Sequence, residues 1–263
     1  GGDLRVSNVA SLSRNVYYWL RLVGGAEVEY KNTIVSDSTG ALSRESGGLL
    51  NFTATSFFSF LDQPINPAKG TRFALTLGNG GPIYEQGQIQ VFQERHNWVE
   101  FQSAYYYYPP FLRQFKTALR FDGGRFFGQG GINSERFYLG GPRSVRSHDW
   151  RSVCPQLTSD NKCVEDGIEP AYFLGSAELR LQPFYKATTG FLEHLNGVQV
   201  VPFVDYGNVW EVGKPVAPSG RGRAVGLGLR YGFLTLFNVR LDYAQDPDDS
   251  GQSRWILDLA QAF

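Results

Sequence analysis

The chain has 263 residues and carries 25 Lys and Arg against 25 Asp and Glu, so its formal net charge is zero. That balance, with no basic run, gives nucleic acids and other polyanions nothing to bind. No apolar run reaches about 18 residues, which excludes a membrane-spanning helix and leaves membrane-spanning strands open.

The opening GGDLRVS has neither a charged start nor an apolar stretch, and methionine is absent, which points to a mature or truncated product. Region 3–36 yields two or three strand-like segments of uneven alternation. A polar connection over 34–47 follows, then strands at 49–61, 70–79, 87–107 and 114–127. In 70–79, Phe73, Leu75 and Leu77 oppose Arg72, Ala74 and Thr76. In 114–127, Phe115, Thr117, Leu119 and Phe121 oppose Lys116, Ala118, Arg120 and Asp122. YYYYPP at 105–110 reads as an interfacial aromatic girdle rather than a stacking platform for a ligand.

A long polar connection, 128–171, precedes strands at 172–184, 198–210, 223–233, 236–246 and 253–263. Ala177, Leu179 and Leu181 oppose Ser176, Glu178, Arg180 and Gln182. Val225, Leu227, Leu229 and Tyr231 oppose Gly226, Gly228 and Arg230. Phe237, Val239, Leu241 and Tyr243 oppose Asn238, Arg240 and Asp242. The total is about 11 or 12 strands, each near the ten residues that a tilted membrane strand needs.

A soluble sandwich also alternates. Here one face is rich in full charges and small residues on strand after strand, while the other carries aromatics near strand ends, such as Tyr231, Tyr243 and Trp255. That is the pattern of a barrel with apolar residues in lipid and charges in its lumen. Closure is required, because open strand edges go unsatisfied in hydrocarbon. The fold class is therefore all-β, a transmembrane antiparallel β-barrel, with residues 1–263 forming one barrel domain and no internal boundary.

Cys154 and Cys163 lie in SVCPQLTSDNKC with no metal-ligand spacing around them, so they read as a disulfide formed in an oxidising compartment. His96 and His194 are isolated, and no metal or cofactor is expected. Asp246, Asp248 and Asp249 read as a solvated turn rather than a Ca²⁺ loop. Ser147, His148 and Asp149 suggest a triad on paper, but no Gly-x-Ser-x-Gly elbow, P-loop or dinucleotide fingerprint is present, so an enzyme is not expected.

The long connection contains FYLGGPRSVRSHDW, residues 137–150. Its Gly140, Gly141, Val145 and Arg146 resemble the inward-folded loop of the BamA/TamA superfamily of outer-membrane assembly proteins. The family's loop has a Gly-Gly pair, then Val-Arg-Gly-aromatic; Ser147 and His148 depart from it. PFVDYGNVW (202–210), LRYGFLTLFNVRLDYAQ (229–245) and LDQPINPAKGTRFAL (61–75) resemble other segments of these barrels. The terminal RWILDLAQAF, with Trp255, Leu257, Leu259 and Phe263, resembles their C-terminal recognition signal. The resemblance covers roughly residues 50–263.

The resemblance implies a long loop folded into the lumen, with long loops outside the cell and the barrel integral to a bacterial outer membrane. The family barrel has sixteen strands behind periplasmic POTRA domains. This chain has room for fewer, so either its first strands lie outside it or the barrel is shortened. Arg146 would pair with Glu178 and Asp205, the lumen-facing carboxylates of the next two strands, as a latch. His148 would replace the family aromatic in packing, with a pH switch as the alternative. Gly226 and Gly228 would admit the docked loop. The last strand would form a weak seam that opens sideways, with Gln261 interrupting its apolar face.

The implied function is insertion or translocation of client outer-membrane or secreted proteins, in contact with outer-membrane lipids and accessory periplasmic proteins. The rivals are the barrel anchor or pore of a patatin-like or two-partner secretion protein, and a passive porin.

Overall fold

The computed structural model describes residues 4–36, 42–63, 67–86, 96–112, 114–127, 137–157, 163, 170–185, 195–233, 237–249 and 251–258. These form one antiparallel sheet in simple up-and-down order: β1 (Leu4–Tyr17), β2 (Leu20–Ser36), β3 (Leu42–Leu61), β4 (Gly70–Gln86), β5 (His96–Tyr107), β6 (Phe115–Phe127), β7 (Pro170–Leu181), β8 (Val198–Glu211), β9 (Arg221–Phe233), β10 (Phe237–Gln245) and β11 (Ser253–Asp258). One 3-10 turn, Pro218–Gly220, leads into β9. β1 and β11 are the two ends of the sheet.

Eleven strands agree with the sequence reading, while several boundaries differ. The polar connection expected over 34–47 is mostly strand: β2 runs to Ser36 and β3 starts at Leu42, paired Ser36 to Leu42. β4 continues past residue 79 to Gln86, and β5 begins at His96 instead of 87. Strands of 17 to 20 residues exceed the 9–11 or so that cross a bilayer. The ladder hydrogen bonds continue beyond that length without apolar alternation to mark them. The end of the expected strand 253–263, with Leu259, Gln261 and Phe263, lies outside the described residues, as does His194.

The two faces are inverted relative to a water-soluble protein. Leu257 is 72% exposed, Trp255 69% and Leu227 53%, whereas Asp242 is fully buried and Arg240 and Asp205 are each 1% exposed. Apolar surface of this kind is stable only against hydrocarbon. The buried face of β6 to β10 is covered by residues 137–157. Leu139, Val145 and Val153 from this loop pack with Trp98, Phe126, Tyr172, Leu174, Phe203 and Val209 from the wall. The polar face is thus a packed interior here and not open water.

Candidate functional site: the arginine of the inner loop

The loop is a compact unit. Leu139 and Val153 bridge in antiparallel fashion through two backbone bonds of 3.0 Å. Between them the amide of Gly141 donates to the His148 carbonyl, and that of His148 to the Val145 carbonyl. Gly140 and Gly141 have φ of 108° and 102°, a region that side chains disfavour, and a Cβ on Gly140 would collide with the Asp149 carbonyl. Ser147 is not in that region: Arg151 is the one positive-φ non-glycine among the described residues. The serine therefore adopts the loop conformation without strain.

Cys154 and Cys163 are joined by a disulfide with a Cα separation of 5.9 Å. The Cys154 amide donates to the Ser219 carbonyl, tying the end of the loop to the β8–β9 turn.

The tip of this unit inserts Arg146 into the wall. Its Nε donates to Asp205 Oδ2 and its Nη2 to Asp205 Oδ1, both at 2.7 Å. Nη1 donates to Glu178 Oε1 and to Asp242 Oδ2, each at 3.0 Å, and Nη2 also reaches Ser176 Oγ at 3.2 Å. All five guanidinium N–H groups therefore have acceptors. The Arg146 backbone amide adds a bond to Asp205 Oδ2, and the guanidinium carbon lies 3.4 Å from the centroid of the Phe203 ring. Burial alone would lower the Arg146 pKa; Asp205, Glu178 and Asp242 outweigh it and raise it, so the group stays charged.

The expected partners Glu178 and Asp205 come from β7 and β8, and the structure brings both to Arg146. Asp242 from β10, Phe203 and Ser176 complete the cage without any local signal in the sequence. The surrounding arginines join them. Arg230 makes a fork with Glu178 at 2.7 and 2.6 Å, Arg180 pairs with Glu178 at 3.0 Å, and Arg240 pairs with Asp242 at 2.6 Å. Each lies on the polar face of its strand, but alternation alone does not reveal which charges meet.

The glycine expectation is corrected. A Cβ on Gly226 would strike the Phe203 ring and one on Gly228 the Asp242 carboxylate, so these two make room for parts of the arginine cage. The loop itself closes on Gly207, where a Cβ would sit 2.5 Å from Leu139 and 2.9 Å from Val145, and on Gly222, 2.9 Å from Val153.

His148 is buried beside Ser147, with Nδ1 2.8 Å from Ser147 Oγ and Nε2 3.4 Å from Asp246 Oδ2. Ser147 Oγ donates to the Arg223 carbonyl at 2.6 Å. Burial lowers the His148 pKa, and Asp246, Asp149 and Asp249 offset this in part. Asp246 and Asp249 accept from the amides of Asp248 and Gly251 within their own turn, and Asp248 pairs with Arg223 at 2.9 Å. Arg143 is exposed, and its carbonyl accepts from Arg120 Nη1. In β11, Trp255 and Leu257 point outward, with Trp255 against Tyr243 at 5.1 Å between ring centroids.

Comparison with known proteins follows the same lines. The family model described as the Omp85 superfamily domain matches residues 13–263. The crystal structure of BamA from Haemophilus ducreyi lacking POTRA domains 1–3 superposes with a TM-score of 0.68 at 12% sequence identity, over 97% of this chain and 53% of that one. At that identity the likeness is one of fold, and the chain spans about half the length of the BamA chain. No curated protein matches the sequence.

Proposed function

Because this chain belongs to the Omp85 superfamily, we propose that residues 1–263 act as one outer-membrane barrel domain that inserts or translocates other proteins. The observation that carries this reading is the Arg146 cage. One loop residue gathers β7, β8 and β10 through Glu178, Asp205 and Asp242. A lumen occupied by a clamped loop is a poor diffusion pore, which weighs against a passive porin.

The same clamp stops one strand short of the end of the sheet. β11 reaches the loop through Arg254, whose Nη1 donates to the His148 carbonyl and pairs with Asp149 at 3.0 Å. Asp149 is 87% exposed at its side chain, so that pair contributes little. The loop's ion pairs thus clamp β7, β8 and β10, while β11 is held by its ladder with β10 and by Arg254. Strand addition to the outer edge of β11, which pairs with β10 alone among the described residues, then offers a client β-strand its backbone partners. Outward residues such as Leu227, Trp255 and Leu257 contact the surrounding lipid, whose local thinning eases insertion. The work is done by hydrogen bonding and bilayer deformation, without covalent chemistry. Client proteins and accessory periplasmic proteins are the partners of this reading.

The test is reconstitution of the full-length protein into liposomes with an unfolded client barrel, scored by the gel shift of the folded client. The expected result is faster client folding than in empty liposomes, slowed by Arg146→Ala. Client folding no faster than in empty liposomes overturns the insertion reading. A soluble passenger delivered into the vesicle interior identifies the secretion-pore alternative instead.

A further inference from the structure

The outward face of the wall carries charge at one rim. Among the described residues of β5 to β11, the outward side chains are apolar, aromatic, small or uncharged polar, except Arg125, Arg221 and Arg223. No Asp or Glu of these strands shares that face. β6 ends just after Arg125 and β9 begins at Arg221, so all three arginines lie at the rim from which residues 128–169 depart. Each is exposed.

Two of them converge with β8. In the register of the sheet Arg221 stands opposite Asn208, and Arg223 opposite Tyr206. The guanidinium carbon of Arg223 lies 5.7 Å from the centroid of the Tyr206 ring. Asn208 Nδ2 donates to the Tyr206 hydroxyl oxygen at 2.9 Å, which leaves the Tyr206 O–H free to donate elsewhere. The Arg221 side chain makes no hydrogen bond or ion pair among the described residues. Arg223 gives only Nη1 to Asp248, in an exposed pair that contributes little, and keeps Nε and Nη2.

These donors stand over apolar surface. Val204 and Val225 face each other across the same ladder one step below Tyr206 and Arg223, Leu227 follows, and all three are exposed. Tyr243, opposite Leu227 and packed on Trp255, sets aromatic rings at the level where a bilayer's headgroups begin. A second copy of the chain would bring the same cations to this face. A soluble anion would leave the apolar residues uncovered. A lipid covers them with its acyl chains and brings a phosphate to the arginines.

We propose that Arg221, Arg223 and Tyr206 form a site for the phosphate of an anionic lipid in the leaflet at this rim. Guanidinium forks hold the phosphate oxygens and the Tyr206 hydroxyl donates a further bond. The site rests on the outer-membrane reading above and gives that barrel a specific lipid partner.

The experiment titrates the full chain, refolded in neutral detergent micelles, with phosphatidylglycerol or with phosphatidylcholine of the same acyl chains. Bound lipid is read by native mass spectrometry. Phosphatidylglycerol is expected to be retained in preference to phosphatidylcholine. Arg221→Gln and Arg223→Gln are each expected to weaken its binding by about fivefold, the effect of one cationic side chain at a lipid surface. Arg143→Gln, which removes the same charge from the loop, is expected to leave the affinity unchanged, and glycerol 3-phosphate is expected not to compete. Equal binding of the two lipids, a preference that survives in the Arg221→Gln, Arg223→Gln double variant, an equal loss in Arg143→Gln, or competition by glycerol 3-phosphate would overturn the proposal and leave the barrel reading standing. A chain that folds and stays soluble without detergent would overturn both.

Discussion

Arg146 and Asp205 meet through two parallel bonds of 2.7 Å, reinforced by the Arg146 backbone amide on the same carboxylate. The pair fixes both the side chain and the peptide behind it. Fork geometry is the reason an arginine stands there: a lysine would offer one point charge to three carboxylates placed around a plane.

Arg146→Ala, or Asp205→Asn, is therefore expected to destabilise the folded barrel by about 3–5 kcal/mol, because each leaves buried charge uncompensated. Arg146→Lys is expected to recover less than half of that loss. The urea midpoint of the folded gel band measures both.

Phe203→Leu keeps an apolar residue under Arg146 but removes the ring that its guanidinium covers. The expected cost is about 1–2 kcal/mol, smaller than that of removing a charge partner. A double-mutant cycle with Arg146→Ala is expected to show coupling between the two positions.

Gly207→Val places a branched side chain where Leu139 and Val145 already sit. Overpacking of this kind costs about 1–3 kcal/mol, and here it falls on loop seating and not on the strand ladder. Faster tryptic cleavage at Arg151, with an unchanged β-sheet circular dichroism signal, is the expected signature. Gly228→Ala is expected to act differently, by pushing Asp242 off Arg146.

Replacing Cys154 and Cys163 with serine opens the loop end that Ser219 holds. The expected loss is about 2–4 kcal/mol. Dithiothreitol added to the wild type is expected to reproduce it, read as a lower temperature of conversion from the folded to the unfolded gel band.

His148 gives the docked loop a pH dependence. Its pKa is lowered by burial, so the folded state favours the neutral ring while the free loop titrates near 6.5. The docked loop binds fewer protons there, so docking is fully stable above about pH 6.5 and weakens as the pH falls toward the lowered value. Loop-amide exchange at pH 7.5 and 5.0, corrected for intrinsic rates, is expected to show this loosening. His148→Phe is expected to flatten the response; a response that survives unchanged would show that His148 does not carry it.

The strands were legible because alternation is sharp where one face meets lipid. Leu227 and Leu229 against Gly228 and Arg230 leave one assignment. Legibility failed at 34–47, where β2 and β3 run past the length needed to cross a bilayer and the sequence is mostly polar. Within the loop, Gly140, Gly141 and Arg146 stand out locally, and Glu178 and Asp205 follow from strand facing. Asp242 does not, because its place beside Arg146 depends on register: it lies opposite Gly228, whose missing side chain gives the carboxylate room. Which glycines receive the loop depends on how deep it sits, and no short segment encodes that depth. Gly207 and Gly222 do so, and Gly226 and Gly228 serve Phe203 and Asp242.

The most direct test of the clamped loop is single-channel conductance of the refolded chain in planar bilayers, wild type beside Arg146→Ala. The account predicts small, fluctuating conductance in the wild type and a marked rise in the variant, as the loop leaves the lumen. Large, steady conductance in both would contradict it and return the barrel to the class of passive pores.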